Sequence, residues 1–269
     1  MTRASLFVGS FLVGGVILMA LVSIVWTPYP ADAIVGPRLA APGWPYLLGT
    51  DGFGGDIASR IMVGSRLVLV IGVVSVALAA VVGIPMGIVA GMSRGWAAVV
   101  IARGADILYG FPALLLAILF AAARGASQWT AMAAIAVATM PAFVRIAQAA
   151  TMQVMTQTYI EAARLSATPS GSIAARHVLP NIAPVLGVQA SVSFGIAILS
   201  EAGLSYLGLG SGPDDATWGR MLQEGQSLLF NAPLVSLWPG LAVTLATLGF
   251  NLLGDGLRDT LDPRLRDLS

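Results

Sequence analysis

The sequence predicts an all-α, polytopic membrane protein with six transmembrane helices, and three observations carry that prediction. Of the 269 residues, 57% are hydrophobic and only 10% are charged, where soluble domains carry about one quarter charged residues. The mean hydropathy is +0.85. Six stretches are free or nearly free of charge over lengths close to the roughly 20 residues that cross about 30 Å of hydrocarbon. The same composition excludes several chemistries. All 14 basic residues are arginine, so neither a Walker phosphate-binding lysine nor a Schiff-base lysine exists. With no cysteine and one histidine, His177, disulfides, thiol catalysis, iron–sulfur clusters and ordinary zinc sites are ruled out. A net charge of +1 offers no basic stripe for nucleic acid.

The first span is Ala4 to Thr27. Its apolar run is longer than that of a signal peptide and no clean small-x-small cleavage site follows, so a retained helix is expected. The second, Leu67 to Ser93, has no charge between Arg66 and Arg94. The third and fourth, Ile107–Ala123 and Gly125–Val144, are separated by Arg124 and a short turn, and the fifth is Val178–Ser200. The sixth, Gly225–Gly254, is long enough to include a lead-in segment before the helix proper. Gly83, Pro85, Pro112, Pro141, Pro184, Gly195 and Pro239 fall inside these spans, where neighbouring helices re-satisfy the backbone.

Six spans put both termini on one side, and arginine counts choose it. Arg3, Arg94, Arg103, Arg145, Arg164, Arg176, Arg258, Arg264 and Arg266 share the terminal side, against Arg38, Arg60, Arg66, Arg124 and Arg220 opposite, nine to five. Both termini are therefore expected in the cytoplasm. One substantial cytoplasmic loop results, about Arg145 to His177, with two external segments, about Pro28–Arg66 and Glu201–Ala232.

The loop stretch Gln153–Asn181 reads QVMTQTYIEAARLSATPSGSIAARHVLPN. Its first part forms a helix through Glu161-Ala162-Ala163-Arg164, with Glu161 and Arg164 spaced to pair. Pro169 stops that helix, Ser170 or Ser172 caps a second short one, and Leu179-Pro180-Asn181 turns the chain toward the fifth span. An acidic residue beside two alanines lets another protein's backbone approach closely and pair directionally with it. A solvated surface helix held by its own ion pair is the alternative.

The wider spacing resembles the EAA motif of binding-protein-dependent ABC importers. That motif runs Glu-Ala-Ala, three residues, Gly, nine residues, Ile, one residue, Leu-Pro. Glu161, Ala162, Ala163, Leu179 and Pro180 match, Ala167 stands at the glycine and His177 at the isoleucine. Three further blocks resemble the dipeptide, oligopeptide and nickel branch. The first is Leu48-Gly49-Thr50-Asp51 with Gly54-Gly55-Asp56, Ser59-Arg60 and Gly64-Ser65-Arg66, with Gly55 where arginine is usual. The others are Glu201 to Gly210, and Phe250 to Asp259 with Leu261-Asp262-Pro263-Arg264.

The resemblance implies a type I ABC importer permease fold, with residues 1–46 as the first helix and start of the external loop, 47–266 as the permease domain and 267–269 as a cytoplasmic tail. It implies a non-catalytic subunit of a bacterial inner-membrane complex, working with a second similar permease, two cytoplasmic ATPase subunits that bind ATP and magnesium, and an external substrate-binding protein. No cofactor or metal is implied in this chain. The coupling loop, about 153–181, would give Glu161, Ala162, Ala163, Arg164, Ala167, Leu179 and Pro180 to the ATPase contact. Alanine at 167 either avoids a left-handed turn or stiffens it.

Outside the membrane, Asp51, Asp56, Arg60 and Arg66 either form an interfacial ion-pair cluster anchoring the second helix or meet the binding protein. After Pro213-Asp214-Asp215, the residues Trp218, Met221, Leu222 and Leu228-Leu229-Phe230 either lie along the interface as an amphipathic helix or probe the binding protein's pocket. Gln189, Ser191, Ser193 and Thr244 are polar candidates for the path, and Glu201, ionisable and near the outer end of its span, either serves transport or reaches the headgroups. Gly187, Ala190 and Gly195 suit helix packing. Asp255, Arg258 and Asp259 suit a charged cytoplasmic cap.

The expected substrate is a di- or oligopeptide, with nickel, haem or glutathione as alternatives on the same architecture. An ion-gradient-driven secondary transporter is less compatible, because no mid-span charge or internal repeat is present. An intramembrane protease lacks its paired aspartates or Ser–His set.

Overall fold

The computed structural model describes residues 2–93, 95–210, 212 and 215–261. Arg94, Pro213-Asp214, the Asp262-Pro263-Arg264 block, Arg266 and the tail 267–269 lie outside the described residues.

Long apolar runs fold into long helices because each buries its own backbone polar groups. They are α1 (Thr2–Val25), α2 (Ile57–Met92), α5 (Gln128–Val154), α8 (Leu179–Tyr206) and α10 (Leu234–Leu261). All five are long and apolar enough to cross a membrane. Pro85, Pro141, Pro184 and Pro239 sit inside them without ending them. Among the described residues there is no strand, only an isolated bridge between Thr50 and Asp56.

The third expected span is corrected. In place of one helix over 107–123 the chain forms α3 (Trp96–Tyr109) and α4 (Ala113–Arg124), which meet at 89°. Pro112 supplies no amide proton and pushes Phe111 out of helical geometry, while Gly110 closes α3. The fourth span also runs further than its charge gap implied. Arg145 therefore lies within α5, not in the loop.

Three buried clusters hold the bundle. In the first, Val13, Ile57, Ile61, Ile198, Trp218, Met221, Val243 and Phe250 join α1, α2, α8, α10 and the short helix α9 (Trp218–Gly225). In the middle, Ile71, Ala79, Ala117, Ile135, Phe143 and Leu204 join α2, α4, α5 and α8. At the loop end, Ile88, Ala147, Ile160, Ile173, Val178, Ile182 and Leu186 form the third cluster. Gly83, Gly87 and Gly91 carry α2 against the backbone of α5. A Cβ there would meet Met140 O at 2.9 Å, Val144 O at 2.5 Å and Gln148 O at 2.8 Å. Gly195 packs on the Asn251 side chain, whose Oδ1 a Cβ would meet at 2.8 Å, whereas Gly187 faces open space.

Candidate functional site

The loop between α5 and α8 carries α6 (Thr158–Leu165) and α7 (Ser170–Ile173). Ile160 is fully buried in the third cluster, among side chains of α2, α5 and α8. Tyr159 lies 6.1 Å from the His177 ring, tying α6 to the start of the next helix. On the other side of α6, Glu161, Ala162 and Arg164 are exposed and Ala163 is half-buried. Glu161 and Arg164 do not pair with each other. α6 is thus pinned on one face and open on the other.

Ala167 adopts the left-handed conformation, with φ 54°. Its amide donates to Arg164 O at 3.0 Å, and Thr168 N donates to Ala163 O at 3.1 Å. This pair of bonds is the Schellman termination, with an alanine at the position that favours glycine. The helix consequently ends at Leu165, before Pro169 is reached. Neither Ser170 nor Ser172 caps α7, whose first turn has no side-chain cap. The expected turn at Leu179-Pro180-Asn181 is also absent. A π turn, Ala174–Val178, runs directly into α8, with Pro180 in the first turn of α8. Leu179 and Pro180 are exposed.

On the opposite side the charged residues turn inward. Asp51 is 4% exposed; its Oδ1 accepts from Phe53 N at 2.8 Å and Gly55 N at 2.9 Å, and its Oδ2 accepts from Arg60 Nη1. Gly55 fits this turn because a Cβ there would meet Asp51 Oδ2 at 2.8 Å. Arg60 also lies 2.9 Å from Glu224 Oε2, and Arg220 Nε donates to Glu224 Oε1 at 3.0 Å. Asp56, fully buried, caps α2 by accepting from Ser59 N at 2.8 Å and Ser59 Oγ at 2.6 Å. Arg66 Nε donates to Ser23 Oγ on α1 at 2.6 Å.

Trp218 and Met221, expected at a surface, are 0% and 3% exposed. Trp218 Nε1 donates to Ile61 O at 3.0 Å, in the space left by Gly64. The amphipathic face of α9 is satisfied by the core of this chain, which leaves Leu229 and Phe230 as the exposed apolar side chains of that segment.

The polar candidates for a path do not form one track. Gln189 Nε2 donates to Ser193 Oγ at 2.9 Å, and Ser193 is buried. Ser191 and Thr244 donate back to Gly187 O and Gly240 O of their own helices. Glu201 is 1% exposed and accepts from Ser205 Oγ at 2.7 Å. Gln189 alone of the five lines a groove of about 830 Å³ between α5 and α8, with Val185, Val188 and Val192 as its apolar wall and Gln153, Asn181 and Arg258 toward the loop end. Those last three polar residues were not singled out for a path in the sequence, because only the packing of α10 beside α8 brings Arg258 there. Asp255, Arg258 and Asp259 form no ion pair among the described residues.

Residues 83–267 match the family described as binding-protein-dependent transport system inner membrane component. The chain is 40% identical to a glutathione transport system permease protein, GsiD, of Pectobacterium atrosepticum, over 94% of this chain and 86% of that protein. It is 38% identical to a dipeptide transport system permease protein, DppC, of Alkalihalophilus pseudofirmus, over 96% and 86%. Its fold resembles a solved inward-facing MetNI methionine ABC transporter, with a TM-score of 0.61, 18% identity, and coverage of 78% of this chain and 96% of that one. An all-helical bundle with a pinned, outward-open loop helix, this chain belongs to the binding-protein-dependent inner-membrane permease family of ABC importers.

Proposed function

We propose that this chain pairs with a second, similar permease to form a path for short peptides, with both termini in the cytoplasm and the permease domain spanning about residues 47–266. An external binding protein delivers the substrate, and two cytoplasmic ATPase subunits bind ATP and magnesium and drive the cycle. The observation that carries this reading is α6. Its Glu161, Ala162 and Arg164 are free to meet a partner, while Ile160 beneath them is locked to α2, α5 and α8. A push on such a helix is transmitted, because close-packed side chains move as a unit rather than yielding. ATPase closure would displace α6, carry the loop ends of α5 and α8 with it, and reshape the groove lined by Gln189.

Short peptides fit the substrate side best. Relatives named for glutathione, itself a tripeptide, and for dipeptides share that chemistry, and the groove wall is mostly apolar, with amide side chains and one arginine toward the loop end. Such a lining accepts varied side chains without demanding a charge.

Glu161→Lys tests the coupling. Assembly is expected to be retained, with ATP hydrolysis no longer producing uptake; wild-type uptake would remove Glu161 from the contact. The substrate reading is tested by uptake into vesicles holding the full complex, offered dipeptides, longer peptides, glutathione, haem and nickel chelates. Peptide-dependent uptake supports it, and stimulation by nickel chelate or haem alone overturns it.

A further inference from the structure

α4 has 12 residues, about 18 Å at 1.5 Å per residue, short of about 30 Å of hydrocarbon, so it completes the return from the loop end only together with the bend at 110–112. It returns beside α5 through the turn at 125–127, and at its other end the chain bends by 89° into α3. The level of α3 follows from its neighbours. Gly91, just before its start, packs on Thr151 of α5, and Asp106, near its end, pairs with Arg145 of α5 at 2.6 Å. α3 therefore lies obliquely across the loop-side end of the bundle and does not continue the crossing.

Its outward face is unusual for such a position. Trp96, Val99, Val100, Arg103 and Ile107 fall on one side at helical spacing, all exposed, while Ala105 opposite them is buried. The two acid–base partners nearby cancel, since Arg145 neutralises Asp106 and also lies 4.9 Å over the Tyr109 ring. Arg103 makes no hydrogen bond or ion pair among the described residues. One uncompensated cation thus sits in the middle of an apolar face that begins with a tryptophan. Tryptophan favours the headgroup level, and an arginine stem lies along apolar surface while its head reaches polar groups.

We propose that α3 is an interfacial helix in the leaflet on the coupling-loop side, and that Arg103 holds the phosphate of an anionic phospholipid there. The guanidinium donors match a phosphate diester in charge and geometry. The apolar neighbours Val99, Val100 and Ile107 cover the acyl chain beneath it. The proposal requires that the chain be embedded in a bilayer and is independent of what it transports.

The chain has no cysteine, so Ile107→Cys in the full complex carries a nitroxide at one place in this subunit, with the unsubstituted complex as background. In vesicles of phosphatidylcholine and phosphatidylglycerol, the label is expected to collide with oxygen and with a water-soluble nickel chelate in the ratio of a site just below the phosphates. A label shielded from both means that protein covers α3, and one reached mainly by the chelate means that α3 stands in water; either overturns the proposal. Association of spin-labelled phosphatidylglycerol with the same complex is expected to weaken about fivefold in Arg103→Gln, the effect of one cation at an anionic leaflet. Arg103→Lys is expected to restore most of it. Equal association in wild type and Arg103→Gln would also overturn the proposal.

Discussion

The two ends of the bundle use the same kinds of residue to opposite effect. At the end away from the α6 loop, Asp51, Arg60, Glu224 and Arg220 form one chain of ion pairs, with Asp56 beside them spent on capping α2. On α6, Glu161 and Arg164 sit three residues apart and stay unpaired and exposed. A buried charge must find a partner within its own chain, whereas an exposed one is already satisfied by water and remains available to another protein. The first cluster is therefore spent on the fold, whereas the loop helix keeps its charges exposed. Substitutions in the ion-pair cluster should act on stability, and substitutions on the exposed face of α6 on the proposed coupling.

The largest expected effect is at Trp218→Ala. It empties a fully buried site and removes the indole N–H bond to the Ile61 carbonyl, at a cost of about 3–5 kcal/mol. Thermal unfolding of the purified complex, or its yield in membranes, reads this loss. A stable Trp218→Ala complex that fails only in binding-protein docking would break the comparison, because Trp218 would then serve the surface.

Arg60→Met comes next. It leaves Asp51 and Glu224 facing each other without their shared cation, and about 3 kcal/mol of destabilisation is expected. If removing Asp51, Arg60 and Glu224 together with apolar replacements restores stability while uptake is lost, the cluster has a contact role beyond the fold.

A smaller pair of changes sharpens the comparison at matched geometry. α8 ends on the same Schellman bonds as α6, Leu209 N to Leu204 O at 2.8 Å and Gly208 N to Ser205 O at 3.1 Å, with Gly208 at φ 74°. One end has glycine at the left-handed position and the other has Ala167. Ala167→Gly is expected to stabilise the loop by about 1 kcal/mol and Gly208→Ala to destabilise α8 by about the same, each read by local amide exchange. Unchanged exchange in both would mean that tertiary packing, not backbone preference, sets these ends.

The smallest stability effect belongs to Glu161→Lys, within about 0.5 kcal/mol in unfolding experiments. A large drop in stability would show that Glu161 is part of the fold after all and would weaken its assignment to a partner.

How much of this was legible depended on how local each signal was. The long helices followed from apolar length, and the helical setting of Glu161 followed from spacing, since both signals lie within a few consecutive residues. The break at Gly110-Phe111-Pro112 was visible as a proline but not as an 89° bend. Four other prolines sit inside unbroken helices, and only the neighbouring helices decide which proline kinks and which is absorbed. Trp218 was harder still. Its spacing with Met221 and Leu222 describes an amphipathic helix equally well against lipid, a partner or its own core. The choice depended on Gly64, more than 150 positions away, leaving room for the indole.

By itself the sequence determined that this chain crosses a membrane as helices, that it has no lysine or cysteine and a single histidine, and that one loop carries residues spaced like the EAA motif. Those properties depend on composition and on neighbours along the chain. Tertiary structure alone decided which charges are spent inside the fold and which stay exposed, which apolar face of α9 is core, and that α3 lies across the end of the bundle. Each of those outcomes depends on what stands opposite a side chain, and that is fixed only when distant helices pack.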